Sequence, residues 1–387
     1  MDYFLTEEQL MIQDLARQVA EEKVLPVRAE LDEKEEFSEE VMSHFAAADL
    51  FGINIPEEYG GLGLGGFEHA LAVEQAARVC TGVACSYAAS QLGAYPILLF
   101  GSEDLKRKYL PLIATGQKLA AFALTESNAG SDAGGIQTRA VRDGDHYVLN
   151  GTKQWITNAG VAGIYSVIAL TDPTRGPRGA SFFVVEKGDP GFSFGKKEKK
   201  MGIRSSPTGE LIMNDCRIPA DRLIGKEGQG FIAAMKTFDC SRPGVGAQAL
   251  GLAQGALEAA VDFARARIQF GRPIMSIQAV QHLLADMATL VEASRALVYA
   301  VARFIDSGAK DISLASAMAK LFPTDAAMKV TTDAVQVMGG AGYMREYPVE
   351  KMMRDAKILQ IYEGTNQVQR NVIGQELNKE FGRRKKK

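Results

Sequence analysis

The chain has 387 residues, more than a single hydrophobic core usually fills, so two or three packed units are expected. Its 46% hydrophobic and 24% charged content is that of an ordinary globular protein. A formal net charge of −3 gives no overall pull toward nucleic acid or an anionic membrane, and the basic ending GRRKKK reads as a solvated tail.

The first third reads as helical. Thr6 and Gln9 form a capping box, with Leu5 and Leu10 spaced as a hydrophobic staple. Ile12, Leu15, Ala16 and Val19 follow as one stripe toward Pro26. Further helices are predicted over roughly 38–48, 67–80, 84–99 and 103–115. The pattern changes near residue 119. Two turn dipeptides, Asp143-Gly144 and Asn150-Gly151, flank a strand-like run. IYSVIAL, SFFVVEK and GELIMNDCRIP are further β-branched or aromatic runs bounded by turn residues. Beyond about residue 229 the chain is again helical, Ala-rich and amphipathic, with one helix interrupted at Pro323 and closed by Gly339-Gly340.

The expected fold class is therefore α+β and multidomain: an N-terminal helical domain (1–118), a central antiparallel β-domain (119–228) and a C-terminal helical bundle (229–387). This order disfavours a doubly wound parallel sheet. The long amphipathic helices carry more apolar surface than one chain can hide, which points to an oligomer.

Several function classes drop out. Cys80, Cys85, Cys216 and Cys240 are scattered and read as reduced thiols. His44, His69, His146 and His282 lie far apart without ligand spacing, so no metal is expected. The opening MDYFLTEEQL is not that of a secretory signal or transit peptide, and no apolar run reads as a membrane span, so a cytoplasmic setting is expected. GLGLGG at 61–66 matches G-x-G-x-x-G in form, but PEEYG precedes it where a strand is required, and Glu57 and Glu58 would repel a pyrophosphate. It reads as a glycine-rich turn.

Three stretches carry more: FALTESNAGSDAGG (122–135), KQWITNAG (153–160) and RIQFGRPI (267–274). Alone, the first is a small-residue loop that lets backbone N–H groups approach an anion, and the second places the only tryptophan after a hairpin turn. Together with PEEYGGLG, FDCSRPGVGAQALG, QVMGGAGY, RDAK and YEGTNQVQR, they resemble the acyl-CoA dehydrogenase family over essentially the whole chain. The resemblance implies an N-terminal helical domain, a central β-domain and a C-terminal four-helix domain. It also implies FAD as cofactor and a homotetramer built as a pair of dimers.

By position, the resemblance lays Phe122, Leu124, Thr125 and Ser131 along the flavin and its pyrophosphate, with Ser131 also within reach of CoA. Trp155, Ile156 and Thr157 would cover the other flavin face. Arg267, Phe270 and Gln278 would hold the FAD of a neighbouring subunit, as would Gln336, Val337, Gly339 and Gly340. Thr365 and Gln367, with Asn366, would meet the adenosine-diphosphate part at a helix N-terminus. Asp239 and Arg242 resemble a pair that contacts CoA, although their spacing also suits a local helical ion pair. Pro243 departs from the aliphatic residue expected there.

Glu363 stands in an apolar run, LQIYEGTNQVQRNVI, where a carboxylate calls for a partner or a task. Read by itself it is an acid near a helix N-terminus. The resemblance makes it the catalytic base that takes the α-proton of an acyl thioester, with Tyr362 and Gly364 beside the substrate. Some branches of the family carry the base in the segment matching FDCSRPG; that position here is Ser241, which leaves Glu363 without a rival.

The segment matching the family's acyl-tail lining, residues 85–100, has no Lys or Arg, which disfavours a dicarboxylic acyl group. Ala88, Ala89 and Gly93, with Tyr87 and Tyr95, suggest a short to medium, branched or cyclic neutral chain such as cyclohexanecarboxyl. The absence of a long C-terminal extension favours electron-transferring flavoprotein over oxygen as acceptor. An acyl-CoA oxidase, an idle helical scaffold and a nicotinamide enzyme remain as rivals.

Overall fold

The computed structural model describes residues 3–384; the last three residues of the basic tail lie outside them. Six α-helices open the chain: α1 Glu7–Val19, α2 Arg28–Lys34, α3 Glu39–Ala47, α4 Gly66–Val79, α5 Thr81–Phe100 and α6 Glu103–Ala114. The Thr6–Gln9 capping box is formed, and Ile12 and Ala16 face the core, while Leu10 and Leu15 stay exposed. GLGLGG follows a short 3₁₀ turn, not a strand, and leads into α4.

Helix α5 is long and apolar enough, by length and composition, to cross a membrane, contrary to the sequence reading. Thr81, Ser86, Ser90 and Gln91 break up its apolar run in the sequence. It is a core helix, mostly buried and packed on α4, on strands of the sheet and on the C-terminal helices.

Strands β1 Ala120–Ala123, β2 Arg139–Asp143, β3 His146–Thr157, β4 Ile164–Leu170, β5 Ala180–Glu186, β6 Phe192–Lys197, β7 Thr208–Pro219 and β8 Leu223–Ile224 form one sheet. Its order is β6-β7-β3-β2-β4-β5-β8, with β1 added on β4. The pairings are antiparallel except β1 with β4 and the single bridge of β2 with β4, so the sheet is mixed where a purely antiparallel one is expected. β1 enters from α6 and is placed by α5: the Ser90 hydroxyl accepts from the Ala120 N–H, and a side chain at Gly93 would lie 2.5 Å from the Ala121 nitrogen.

The helical remainder comprises α7 Gly230–Ala266, a hairpin of β9 Ile268–Gln269 and β10 Arg272–Pro273, then α8 Gln278–Asp306, α9 Ser313–Met338, α10 Val349–Leu359 and α11 Asn366–Arg384. Helix α9 is continuous through Pro323, against the expected interruption. Proline removes one helical N–H and leaves the carbonyl four residues back without its usual partner. That carbonyl, on Ala319, faces Gly246 of α7, where a Cβ would sit 2.2 Å from it. Helix α7 likewise runs through Pro243; the freed Asp239 carbonyl accepts instead from Ser316 Oγ of α9 at 2.7 Å. The two helices are locked at their proline defects.

Candidate active site

The loop after β1 is tied down from below. Lys153 on β3 is fully buried, and its ammonium donates to the Leu124 carbonyl (2.9 Å) and to Glu126 Oε1 (2.7 Å). Glu126 also accepts the Gln137 and Thr138 amides at 2.7 and 3.1 Å. Burial brings Lys153 down to about 8. Burial pushes Glu126 up, but Lys153 and the donors around it prevail and hold that carboxylate below its ordinary range. Immediately beyond Lys153 the register of β3 slips before Ile156, a bulge that turns Trp155 outward with φ +58°.

Opposing this loop in sequence is the turn between α10 and α11, where Glu363 and Gly364 are both left-handed, at φ +51° and +89°. The left-handed region is unfavourable for a residue with a Cβ, so the turn needs outside support. Gln369 Nε2 donates to the carbonyls of Glu363 (3.2 Å) and Gly364 (2.9 Å). Thr365 Oγ1 accepts from the Val368 N–H and so caps α11. The Tyr362 hydroxyl donates to Gln248 of α7.

Loop, bulge and turn enclose one cavity of about 520 Å³. Of the residues singled out in the sequence, Phe122, Leu124, Thr125, Ser131, Trp155, Ile156 and Thr157 line it, as do Arg242, Tyr362, Glu363 and Gly364. Asp239 stands behind Arg242, accepting from its Nη1 at 2.9 Å and from Ser313 Oγ at 2.5 Å. The local ion pair and the cavity position coexist. Burial raises Asp239, opposed by Ser313 and Arg242. Arg242 is 4% exposed, and its Nε has no hydrogen-bond partner.

The other singled-out residues lie off the cavity. Arg267 and Phe270 project on the β9–β10 hairpin, Phe270 being 91% exposed; Gln278, Gln336, Gly339 and Gly340 are also exposed. Val337 does not share their exposure: its side chain packs in the core. Thr365 and Gln367 sit at the start of α11. Within residues 85–100, Ala88, Ala89 and Tyr95 border the cavity, but Tyr87 does not. Tyr87 is fully buried, donating to the Leu50 carbonyl and meeting His69 Nδ1, and Gly93 serves the contact with β1.

Glu363 meets Ser241 directly, a contact the sequence does not show. Ser241 Oγ donates to Glu363 Oε2 at 2.6 Å. Burial raises the Glu363 pKa, while Ser241, Arg242 and Lys320 pull it back. Ser241, Arg242, Val245 and Gln248 all line the cavity from one face of α7, a helical spacing readable in the sequence once one of them is placed. No potential metal cluster occurs among the described residues.

Three family models match the chain: acyl-CoA dehydrogenase N-terminal domain over 6–117, middle domain over 121–216 and C-terminal domain over 228–378. The chain belongs to the acyl-CoA dehydrogenase family. It is 49% identical over 373 residues, 96% of each chain, to the probable acyl-CoA dehydrogenase FadE25 of Mycobacterium tuberculosis. A chain in the structure reported for the electron transferring flavoprotein of Acidaminococcus fermentans superposes with TM-score 0.96 at 50% identity, covering 97% of this chain and 99% of that one. Butyryl-CoA dehydrogenase from Megasphaera elsdenii superposes with TM-score 0.95 at 46% identity, covering 97% and 100%. The protein is thus an FAD-dependent oxidoreductase acting on acyl-CoA.

The cavity suits that cofactor. Trp155 leaves an indole 56% exposed at its edge, an apolar surface that a flat ring would cover. Ile156 and Thr157 continue the wall, and Gly130 faces open space where backbone can meet a phosphate.

Proposed function

We propose that this acyl-CoA dehydrogenase converts a short to medium, neutral acyl-CoA into its 2-enoyl thioester, with Glu363 as base. The observation that carries the reading is a single one: Glu363, raised by burial, shares one cavity with Thr125, Trp155 and Thr157. FAD held against Thr125, Trp155 and Thr157 would supply the acceptor for the β-hydrogen as hydride. The chain's residues do the rest. Glu363 removes the α-proton as the Cα–Cβ double bond forms; its elevated pKa makes it a stronger base than an ordinary glutamate. The Glu363 N–H would meet the thioester oxygen, and Gly364 leaves room beside it. Arg242, with an unpartnered Nε, and Asp239 would receive the CoA portion.

The exposed Arg267, Phe270, Gln278, Gln336, Gly339 and Gly340 support contact with the FAD of another subunit in a homotetramer. Among the cavity-lining residues of α5 none is charged, which supports a neutral acyl tail. The similarity to a chain in the electron transferring flavoprotein structure supports that protein as electron acceptor, in preference to oxygen.

The test is anaerobic flavin bleaching with butyryl-, isobutyryl-, octanoyl- and cyclohexanecarboxyl-CoA. Butyryl-CoA should bleach the wild-type enzyme fastest. Glu363→Gln should stay yellow and bleach roughly 10²–10⁴-fold more slowly. Undiminished bleaching would reject the base.

A further inference from the structure

Lys320 lies in the middle of α9, on a stretch of small and apolar residues, and is fully buried. A buried ammonium is costly without a counter-charge. This one has no carboxylate at hydrogen-bond distance: it donates to the Gly364 carbonyl at 2.9 Å and to Asn366 Oδ1 at 2.8 Å, both neutral oxygens. Asn366 is held further by Thr324 and Asp325, through Nδ2 bonds of 2.9 and 2.7 Å. Both oxygens bound by Lys320 therefore belong to the left-handed turn that carries Glu363, one at the residue after it and one at the first residue of α11.

We propose that Lys320 is a positioning residue for Glu363: its buried ammonium fixes the strained turn and supplies the positive charge that keeps the carboxylate ready to take a proton. The proposal rests on Glu363 being the base. The charges facing this pair come from each surrounding element. Arg242 approaches from α7 and Asp325 from α9; Tyr362 precedes Glu363 in the turn, and Cys85 and Tyr95 face it from α5. Of these, Arg242 is tied to Asp239 and Asp325 to Arg370, whereas Lys320 has only Glu363 as a nearby carboxylate without a cation of its own. Burial brings Lys320 down to about 7, and Glu363 opposes that fall. The influence is mutual, since Lys320 lowers Glu363.

The experiment compares flavin-loaded wild type, Lys320→Met, Lys320→Gln and Glu363→Gln. Protonation of Glu363 in the resting enzyme is followed by pH-difference infrared spectroscopy, with Glu363→Gln as the blank. Removing the cation should move the Glu363 midpoint upward by about one pH unit in both Lys320 variants. The acid limb of butyryl-CoA flavin reduction should move with it. Lys320→Gln keeps a donor for the turn, so it separates charge from hydrogen bonding and decides the matter if Lys320→Met fails to fold. An unmoved midpoint and acid limb, with Glu363→Gln inactive, overturn the role of Lys320 and leave the base standing. Glu363→Gln that still bleaches overturns the base, and this proposal with it.

Discussion

The Ser316 hydroxyl donates to the main-chain carbonyl of Asp239 at 2.7 Å, replacing the helical bond that Pro243 cannot make. One serine thereby connects a helix irregularity in α7 to the neighbouring α9. Ser313, one turn earlier, holds the Asp239 carboxylate itself.

Ser316→Ala should therefore cost about 1–3 kcal/mol, the penalty of a buried carbonyl left unsatisfied. Calorimetry should show a lower Tm with FAD content unchanged. On the proposed role of Asp239 and Arg242, KM for the CoA thioester should also rise.

Ser241→Ala removes a donor to the Glu363 carboxylate. Hydrogen bonding to the charged form lowers a carboxyl pKa, so its loss raises it further. The acid limb of flavin reduction should move to higher pH, with the alkaline plateau less affected. Stopped-flow reduction across pH checks the direction.

Glu363→Gln should be more stable than wild type at neutral pH. A carboxyl raised on folding stabilises the fold at pH below its unfolded value near 4.3 and loses that contribution as pH rises through the folded value. The amide variant has no such ionisation, so its Tm advantage should grow as pH rises. The Tm difference should shrink as pH falls toward 4.

His69 runs the other way. It is buried against Tyr87, and burial depresses it to about 4. The folded state prefers the neutral ring, so stability present above about 6.5 is lost as pH falls through 4, to the extent of about 3 kcal/mol. His69→Gln should flatten this acid limb of the stability curve, read as Tm against pH.

Trp155 is the only tryptophan, and it lines the cavity. Adding FAD to the apoprotein should quench its fluorescence saturably. Trp155→Phe should still turn yellow, with weaker retention of the flavin.

Much of this architecture can be read from the chain itself. β-branched runs mark β4, β5 and β7 and the start of β3, and Thr6 with Gln9 marks the first helix because that signal is local. Of the two turn dipeptides, Asp143-Gly144 is a turn, but Asn150-Gly151 is a register shift inside a continuous β3, because pairing with β7 carries the strand through it. Pro323 misleads because the residue that accommodates its defect, Gly246, comes from the other helix of the pair, as Ser316 does for Pro243. The parallel pairing of β1 with β4 depends on α5 placing β1, which no strand periodicity encodes. Glu363 stands out as a lone acid in an apolar run. Ser241 is noted in the sequence only as a position without a base, and Lys320 not at all; that both bear on Glu363 is visible only once the fold closes.

Ser241 and Glu363 are separated by 122 positions in the chain, yet their side-chain oxygens touch. A helix and a left-handed turn thus aim at one point in space. An acidic side chain placed at either position would reach the same point of the cavity wall, so the two backbones are interchangeable as supports for a group at that point.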